Sequence, residues 1–208
     1  MIDAGTLLTY AVVVLGLFLI PGPAVILVLT RSITGGRRVG VATGVGIAFG
    51  DLAHAAMATF GLSAVLMTSA IAFSIVKYAG AAYLIVLGIR ALIEKSDDFR
   101  LASSRPIDAD RAFRQAIVAE ILNPKTALFF LAFLPQFVRP DHGAVVLQFS
   151  VLGLIFVAMS AAYTSLIALA AGQVSRWLGR HHRVGRWQGR VVGTIYIALG
   201  VRLAFQER

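Results

Sequence analysis

The sequence predicts an all-α integral membrane protein of six transmembrane helices, arranged as two inverted three-helix repeats with proline-broken helices one and four. Three observations lead there. Of the 208 residues, 58% are apolar and 14% charged, against about 25% charged in a typical soluble domain. Apolar runs of membrane-crossing length recur along the chain, separated by links rich in Arg. Two of these runs are interrupted at matched places, by Pro21, Gly22 and Pro23 in one and by Asn123 and Pro124 in the other.

The first run, residues 5–30, has no Asp, Glu, Lys, Arg or His. At about 1.5 Å rise per residue it is long enough to cross a hydrocarbon core of roughly 30 Å. Asp3 and the absence of a basic segment before this run favour a retained helix over a cleaved signal peptide. The second run, 40–66, carries Asp51 and His54, and the third, 70–92, carries Lys77, expected to snorkel toward the external end. Glu120, Asn123 and Lys125 lie in the fourth, 114–137, and the fifth, 144–172, is uncharged. The sixth, 187–204, is uncharged only from 191 to 201, so it needs Arg190 and Arg202 to reach headgroups; a five-span chain is the alternative.

The links orient the chain. Arg31, Arg37 and Arg38, then Arg90, Lys95, Arg100, Arg105, Arg111 and Arg114, then Arg176, Arg180, Arg183, Arg186 and Arg190 make up 14 of the 19 Lys and Arg residues. Basic residues stay inside. This side is therefore expected in the cytoplasm of a bacterial inner membrane, with the N-terminus outside, and the C-terminus outside too if six helices span. Residues 94–113 read as a solvated cytoplasmic linker within a single domain, 1–208, joining repeat halves at about 1–93 and 114–208. Trp177 and Trp187 flank the last basic link as interfacial anchors do.

Composition also excludes functions. The net charge of +9 resides in short links between apolar runs with no aromatic and basic groove pattern, so no nucleic-acid partner is expected. No cysteine is present, which removes disulfide and thiol chemistry. No GxxxxGK[ST], HExxH or serine elbow occurs, so neither an enzyme nor a cofactor is indicated. Asp141 with His142, and His181 with His182, lack further metal ligands, and no metal is expected.

Aligning "LFLIPGPAVILVL" with "VAEILNPKTALFF" sets Gly22 against Asn123 and Pro23 against Pro124. Each element opens a half of three spans, and an odd number of spans inverts the second half, the arrangement of inverted repeats in secondary transporters. Proline removes a backbone donor and clashes with the preceding turn. The freed groups must be met by protein, water or solute, and a half-helix start offers amides to an anion. The alternative is a kink that only shapes helix packing.

Asp51 lies near mid-membrane with His54 three residues on, a carboxylate and imidazole suited to carrying a proton or to locking helices together. Glu120 is fit to bind an ammonium or carry a proton, Asn123 to hydrogen-bond beside the break, and Lys125 to neutralise Glu120 or attract a carboxylate. Gln148 and Tyr83 are candidate polar lining. The glycine pairs 40 and 44, and 46 and 50, have the small-residue spacing of close helix contact.

The blocks "LIPGPAVILVLTRSITGGRRVG", "GIAFGDLAHA", "KYAGAAYLIVLGIRAL" and "ILNPKTALFFLAFLPQF", in this order and over nearly the whole chain, resemble the LysE/RhtB family of amino-acid exporters, especially its homoserine, homoserine-lactone and threonine efflux branch. The resemblance implies a small inner-membrane exporter of amino acids or their derivatives, such as homoserine, threonine, leucine or homoserine lactone, driven by proton antiport. The family's Pro-Gly-Pro, Gly-Asp and Asn-Pro-Lys elements correspond to Pro21, Gly22 and Pro23, to Gly50 and Asp51, and to Asn123, Pro124 and Lys125. The expected partners are an amino-acid-like substrate, protons and the lipid bilayer, with a homo-oligomer allowed for. A channel or small-ion transporter, or a nontransporting scaffold, is the competing reading.

Overall fold

The computed structural model describes residues 2–19, 22–64 and 107–180, together with individual helical positions within 71–93 and 194–205. Every described regular element is helical. Helix α1, Ala4–Leu19, is started by Asp3, whose carboxylate accepts from Thr6 N at 2.9 Å and Thr6 Oγ1 at 2.7 Å. That bond satisfies an amide which the first helical turn leaves without a partner. Tyr10 and Val14 face inward, whereas Leu8, Val12, Leu15 and Leu19 form an exposed apolar stripe of the kind lipid covers.

Gly22, extended at φ −110 and ψ −174, precedes Pro23 at the start of α2, Pro23–Met57. Proline suits a first helical position because no helix partner awaits its missing hydrogen. Within α2 the backbone breaks at Gly36, whose φ of 80 is unfavourable for any residue with a Cβ. This turn brings Gly40 against Ser32, so closely that a Cβ on Gly40 would lie 2.8 Å from Ser32 Cβ. A π-helical turn, Ala58–Leu62, follows.

Helix α3, Ala109–Ile121, is capped by Asp108, which accepts from Arg111 N at 2.7 Å. It stops at Leu122, and Asn123 caps α4, Pro124–Leu128, again with proline at the start. A π turn, Phe129–Phe133, and a 3-10 turn, Leu134–Phe137, continue it, and Pro124–Phe137 lies bent by 44° from α3. A further 3-10 turn, Pro140–His142, leads to α5, Val145–Arg180. Gln148 ties this approach together, accepting from Arg139 N at 3.0 Å and donating to Arg139 O at 2.8 Å.

Between helices surrounded by lipid, tight packing and polar bonds replace the hydrophobic effect as the source of association. Glycines permit that packing around α2. Cβ atoms placed on Gly46 and Gly50 would meet Ala116 Cβ at 2.8 Å and Glu120 Cβ at 2.5 Å on α3, and one on Gly44 would meet Thr164 Oγ1 at 2.9 Å on α5. A ring cluster of Tyr10, Phe129, Phe130, Phe133, Phe149 and Phe156 fills the space between α1, α5 and the turns after α4. Tyr10 Oη donates to Leu152 O at 3.0 Å, satisfying its buried hydroxyl. Asp3 lies within electrostatic reach of Arg139 at one end of the bundle, and at the other Arg31 Nη2 donates to Gln115 Oε1 at 3.0 Å.

The expectation of six spans as two inverted three-helix repeats is corrected by this architecture. Among the described residues two helical stretches are long and apolar enough to cross a membrane, Pro23–Leu62 and Val145–Ala171, or three if the bent pair Ala109–Ile121 and Pro124–Phe137 is one span. The reason lies in the breaks. The run 5–30 is not one helix: the break before Pro23 leaves α1 with 16 residues, about 24 Å long and short of a core of roughly 30 Å. The helix after the break carries on through the basic link into the run 40–66, interrupted only at Gly36. The runs 70–92 and 187–204, with Lys77, Tyr83 and Trp187, lie largely or wholly outside the described residues.

Candidate functional site

Two acidic side chains meet where α2, α3 and α5 converge. Asp51 follows Gly50 on α2, and the missing side chain of Gly50 lets α3 approach so closely that the carboxyls of Asp51 and Glu120 become neighbours. Asp51 is 1% exposed and Glu120 2%. Carboxyls so deeply buried need partners. Ser160 Oγ on α5 donates to Asp51 Oδ2. Asn123 Nδ2 donates to both Glu120 oxygens, at 3.0 and 3.1 Å, and Thr126 Oγ1 donates to Glu120 Oε1.

The second break supplies most of these partners. Asn123 uses its Oδ1 to cap α4 through Lys125 N at 3.1 Å, which leaves its Nδ2 free to hold Glu120. Pro124 is exposed and sets the break without lining the site. His54 Nε2 donates to the Glu120 backbone carbonyl at 3.0 Å, and its ring stacks on Phe130 with centroids 5.9 Å apart. That bond anchors the end of α3.

Lys125 joins the second break to the first. Its Nζ donates to Leu17 O at 2.9 Å, in the last turn of α1, where carbonyls lack helix partners and the helix dipole is negative. Its stem passes over Gly22, where a Cβ would stand 3.1 Å from Lys125 Cδ. Glu120 lies within electrostatic reach of the same ammonium.

Between the breaks is a cavity of about 40 Å³, above the roughly 10–15 Å³ needed to admit a water. Gly22, Asp51, Glu120, Asn123 and Lys125 all line it, as do Ala24 and Val25 from the first turn of α2. Leu17, Phe18, Ile47, Phe156 and Tyr163 provide its apolar and aromatic surface. Acidic and basic side chains thus stand beside an apolar wall.

Of the residues singled out from sequence, five converge on this cavity. Pro23 is exposed and begins the helix whose next residues line it, and Pro21 lies outside the described residues. Gln148 is engaged by Arg139 and Gly143 instead. His142 lies 3.5 Å from Asp141 on the exposed surface. Among the described residues no group of three His, Cys, Asp or Glu side chains converges on one point. Sequence reasoning missed Thr126, Ser160, Thr164, Phe18, Phe156 and Tyr163, although Ser160 and Thr164 are spaced to share one face of their helix.

A family model described as LysE type translocator matches residues 15–207. An uncharacterised membrane protein of Pseudomonas aeruginosa is 31% identical over 201 residues, 94% of this chain and 93% of the relative. A leucine efflux protein of Klebsiella pneumoniae is 28% identical over 200 residues, covering 95% and 93% of the two chains. One of the same name from Salmonella typhimurium is 27% identical over 197 residues, covering 94% and 93%. No solved structure matches the chain.

Proposed function

The chain belongs to the LysE type translocator family, so it is a transporter of small solutes across a membrane and not an enzyme, and from that premise we propose that it exports zwitterionic amino acids or close derivatives in exchange for protons. The observation that carries this reading is the single cavity in which Lys125, reaching from the second break to the first, stands beside the Asp51 and Glu120 pair. The substrate carboxylate is held by Lys125 and by amides in the first turn of α2, where the dipole is positive. Its ammonium is held by Asp51 and Glu120. The substrate's apolar body rests on the opposite wall, and the leucine efflux proteins among the relatives are in keeping with such a body.

Charge sets the exchange. With Asp51 and Glu120 deprotonated and Lys125 protonated, the cavity carries one negative charge in excess, which strengthens the hold on the ammonium end of the substrate. A proton arriving from outside on the carboxyl pair cancels that excess, weakens the hold on the substrate ammonium and promotes release. Loss of the proton toward the cytoplasm restores the site. Because about 40 Å³ holds only a few waters, entry of an amino acid requires the helices around the breaks to part, on the cytoplasmic side to load and on the external side to unload. Export across the bacterial inner membrane, with the Arg-rich links in the cytoplasm, follows from the same scheme.

Purified protein in liposomes tests it. Saturable flux of neutral amino acids, accelerated by an imposed proton gradient and reduced to the gradient-independent rate in Asp51→Asn, is the expected outcome. Full gradient-dependent flux in Asp51→Asn, or a large ohmic current without solute exchange, contradicts it.

A further inference from the structure

The charged side of the cavity recognises what every amino acid has in common, so discrimination among them must come from the other side. That side is built largely from rings on two elements. Phe156 and Tyr163, seven residues apart on one face of α5, both hold Phe18: Phe156 meets it edge-on at 5.1 Å between centroids, and Tyr163 stacks on it at 5.5 Å and 17°. All three line the cavity.

The three rings are not equally fixed. Phe156 is 1% exposed and also packs against Phe129 at 5.0 Å and Phe130 at 4.9 Å, so it belongs to the core. Phe18 and Tyr163 are half-buried. Phe18 also sits in the last turn of α1, next to Leu17, whose carbonyl takes the Lys125 ammonium. Its ring and the ammonium contact therefore ride on the same short end of helix beside the break.

We propose that Phe18, backed by Phe156 and Tyr163, is the specificity-determining residue for the substrate side chain: its ring closes the apolar end of the cavity and limits the size of the side chain accepted. This rests on the amino-acid export reading. Because Phe18 shares the α1 terminus with the Lys125 contact, a side chain that displaces the ring also shifts the group that meets the carboxylate, so size is read in the same movement that admits the substrate. Truncating Phe18 opens space without removing a ring from the Phe129, Phe130 and Phe156 cluster.

The test uses the full chain in liposomes and the exchange of labelled alanine, valine, leucine and phenylalanine, each competed by the others. In Phe18→Ala the preference moves toward the larger side chains, phenylalanine gaining on alanine by about tenfold or more, since one methylene in an apolar pocket already discriminates by roughly 10–200-fold. Phe18→Leu and Tyr163→Leu move it the same way by less, and either replaces Phe18→Ala should that protein not fold. Leu8→Ala, on the exposed face of α1, leaves the order as it was. An unchanged order in Phe18→Ala and Phe18→Leu while exchange continues overturns this assignment alone, as does an equal shift in Leu8→Ala. Failure of the unsubstituted protein to exchange any of the four overturns the amino-acid reading as well.

Discussion

At the residue scale the site depends on a division of labour around Asn123. One end of its amide caps α4 and the other holds the Glu120 carboxylate. Asn123→Ala removes both, with about 1 kcal/mol for the cap and about 1.5–3 kcal/mol for bonds to a charged group as the scale of the loss. Thermal unfolding in detergent should show a lower midpoint, together with slower exchange. Lys125→Met should raise KM for a neutral amino acid about tenfold or more by deleting one charge-assisted bond, with a much smaller effect on the amine lacking the carboxylate. Equal effects on both compounds would remove Lys125 from carboxylate recognition. Asp3 offers a pH readout outside the bilayer. Its bonds from Thr6 hold its carboxyl below the usual value of 3.8. A lowered value means that the cap is fully formed above about pH 4 and is lost as pH falls through the depressed value. Protection of the Thr6 amide, taken relative to its intrinsic exchange rate, should fall only in that acidic range, and Asp3→Asn should abolish the acid-dependent step. Asp51, Glu120 and Lys125 were legible in sequence because a charge in an apolar run has few reasons to be there. Ser160, Thr126 and Phe18 were not, since hydroxyls can bond to their own helix backbone and aromatic residues fill any apolar core.

At the element scale, the proline breaks could be read directly, because proline at a first helical position and a capping residue before it follow from local chemistry. Their consequence for helix boundaries could not. The basic link around residues 31–39 looked like a gap between spans, yet the helical backbone continues through it and departs only at Gly36. Hydropathy marks where lipid solvates the chain, while backbone conformation turns on individual residues. Gly36 therefore makes a defined prediction. No atom lies within 4 Å of a Cβ added there, so Gly36→Ala incurs only the cost of a backbone conformation, φ 80 and ψ 176, that belongs essentially to glycine, about 1–3 kcal/mol, read as a fall in the unfolding midpoint. Gly50→Ala is of another kind. Its methyl would meet the Glu120 side chain and the Ile117 carbonyl, and overpacking of this sort costs about 1–3 kcal/mol. Because it also separates Glu120 from Asp51, exchange should fall further than stability does. Loss of stability with gradient-driven exchange intact would show that Gly50 serves packing alone.

At the scale of the whole molecule, the two halves were related in sequence only by a faint alignment of Gly22 with Asn123, and six spans in inverted repeats were more than the described helices present. What the fold does bring together is the pair of breaks themselves, with Lys125 from one bonded to the helix end at the other and the acidic pair beside them. A faint local match cannot announce such a meeting, because the contact between Lys125 and Leu17 joins residues 108 positions apart. The account stands on that cavity being the place where solute and water enter. The chain contains no cysteine, so a single Ala24→Cys, in the first turn after Pro23 and on the cavity wall, can be followed with a charged, water-soluble methanethiosulfonate reagent in membrane vesicles. The predicted result is labelling that depends on the direction of the proton gradient and is slowed by a transported amino acid in the bath. Absence of labelling under either gradient, or labelling at one rate with and without that amino acid, would contradict the account.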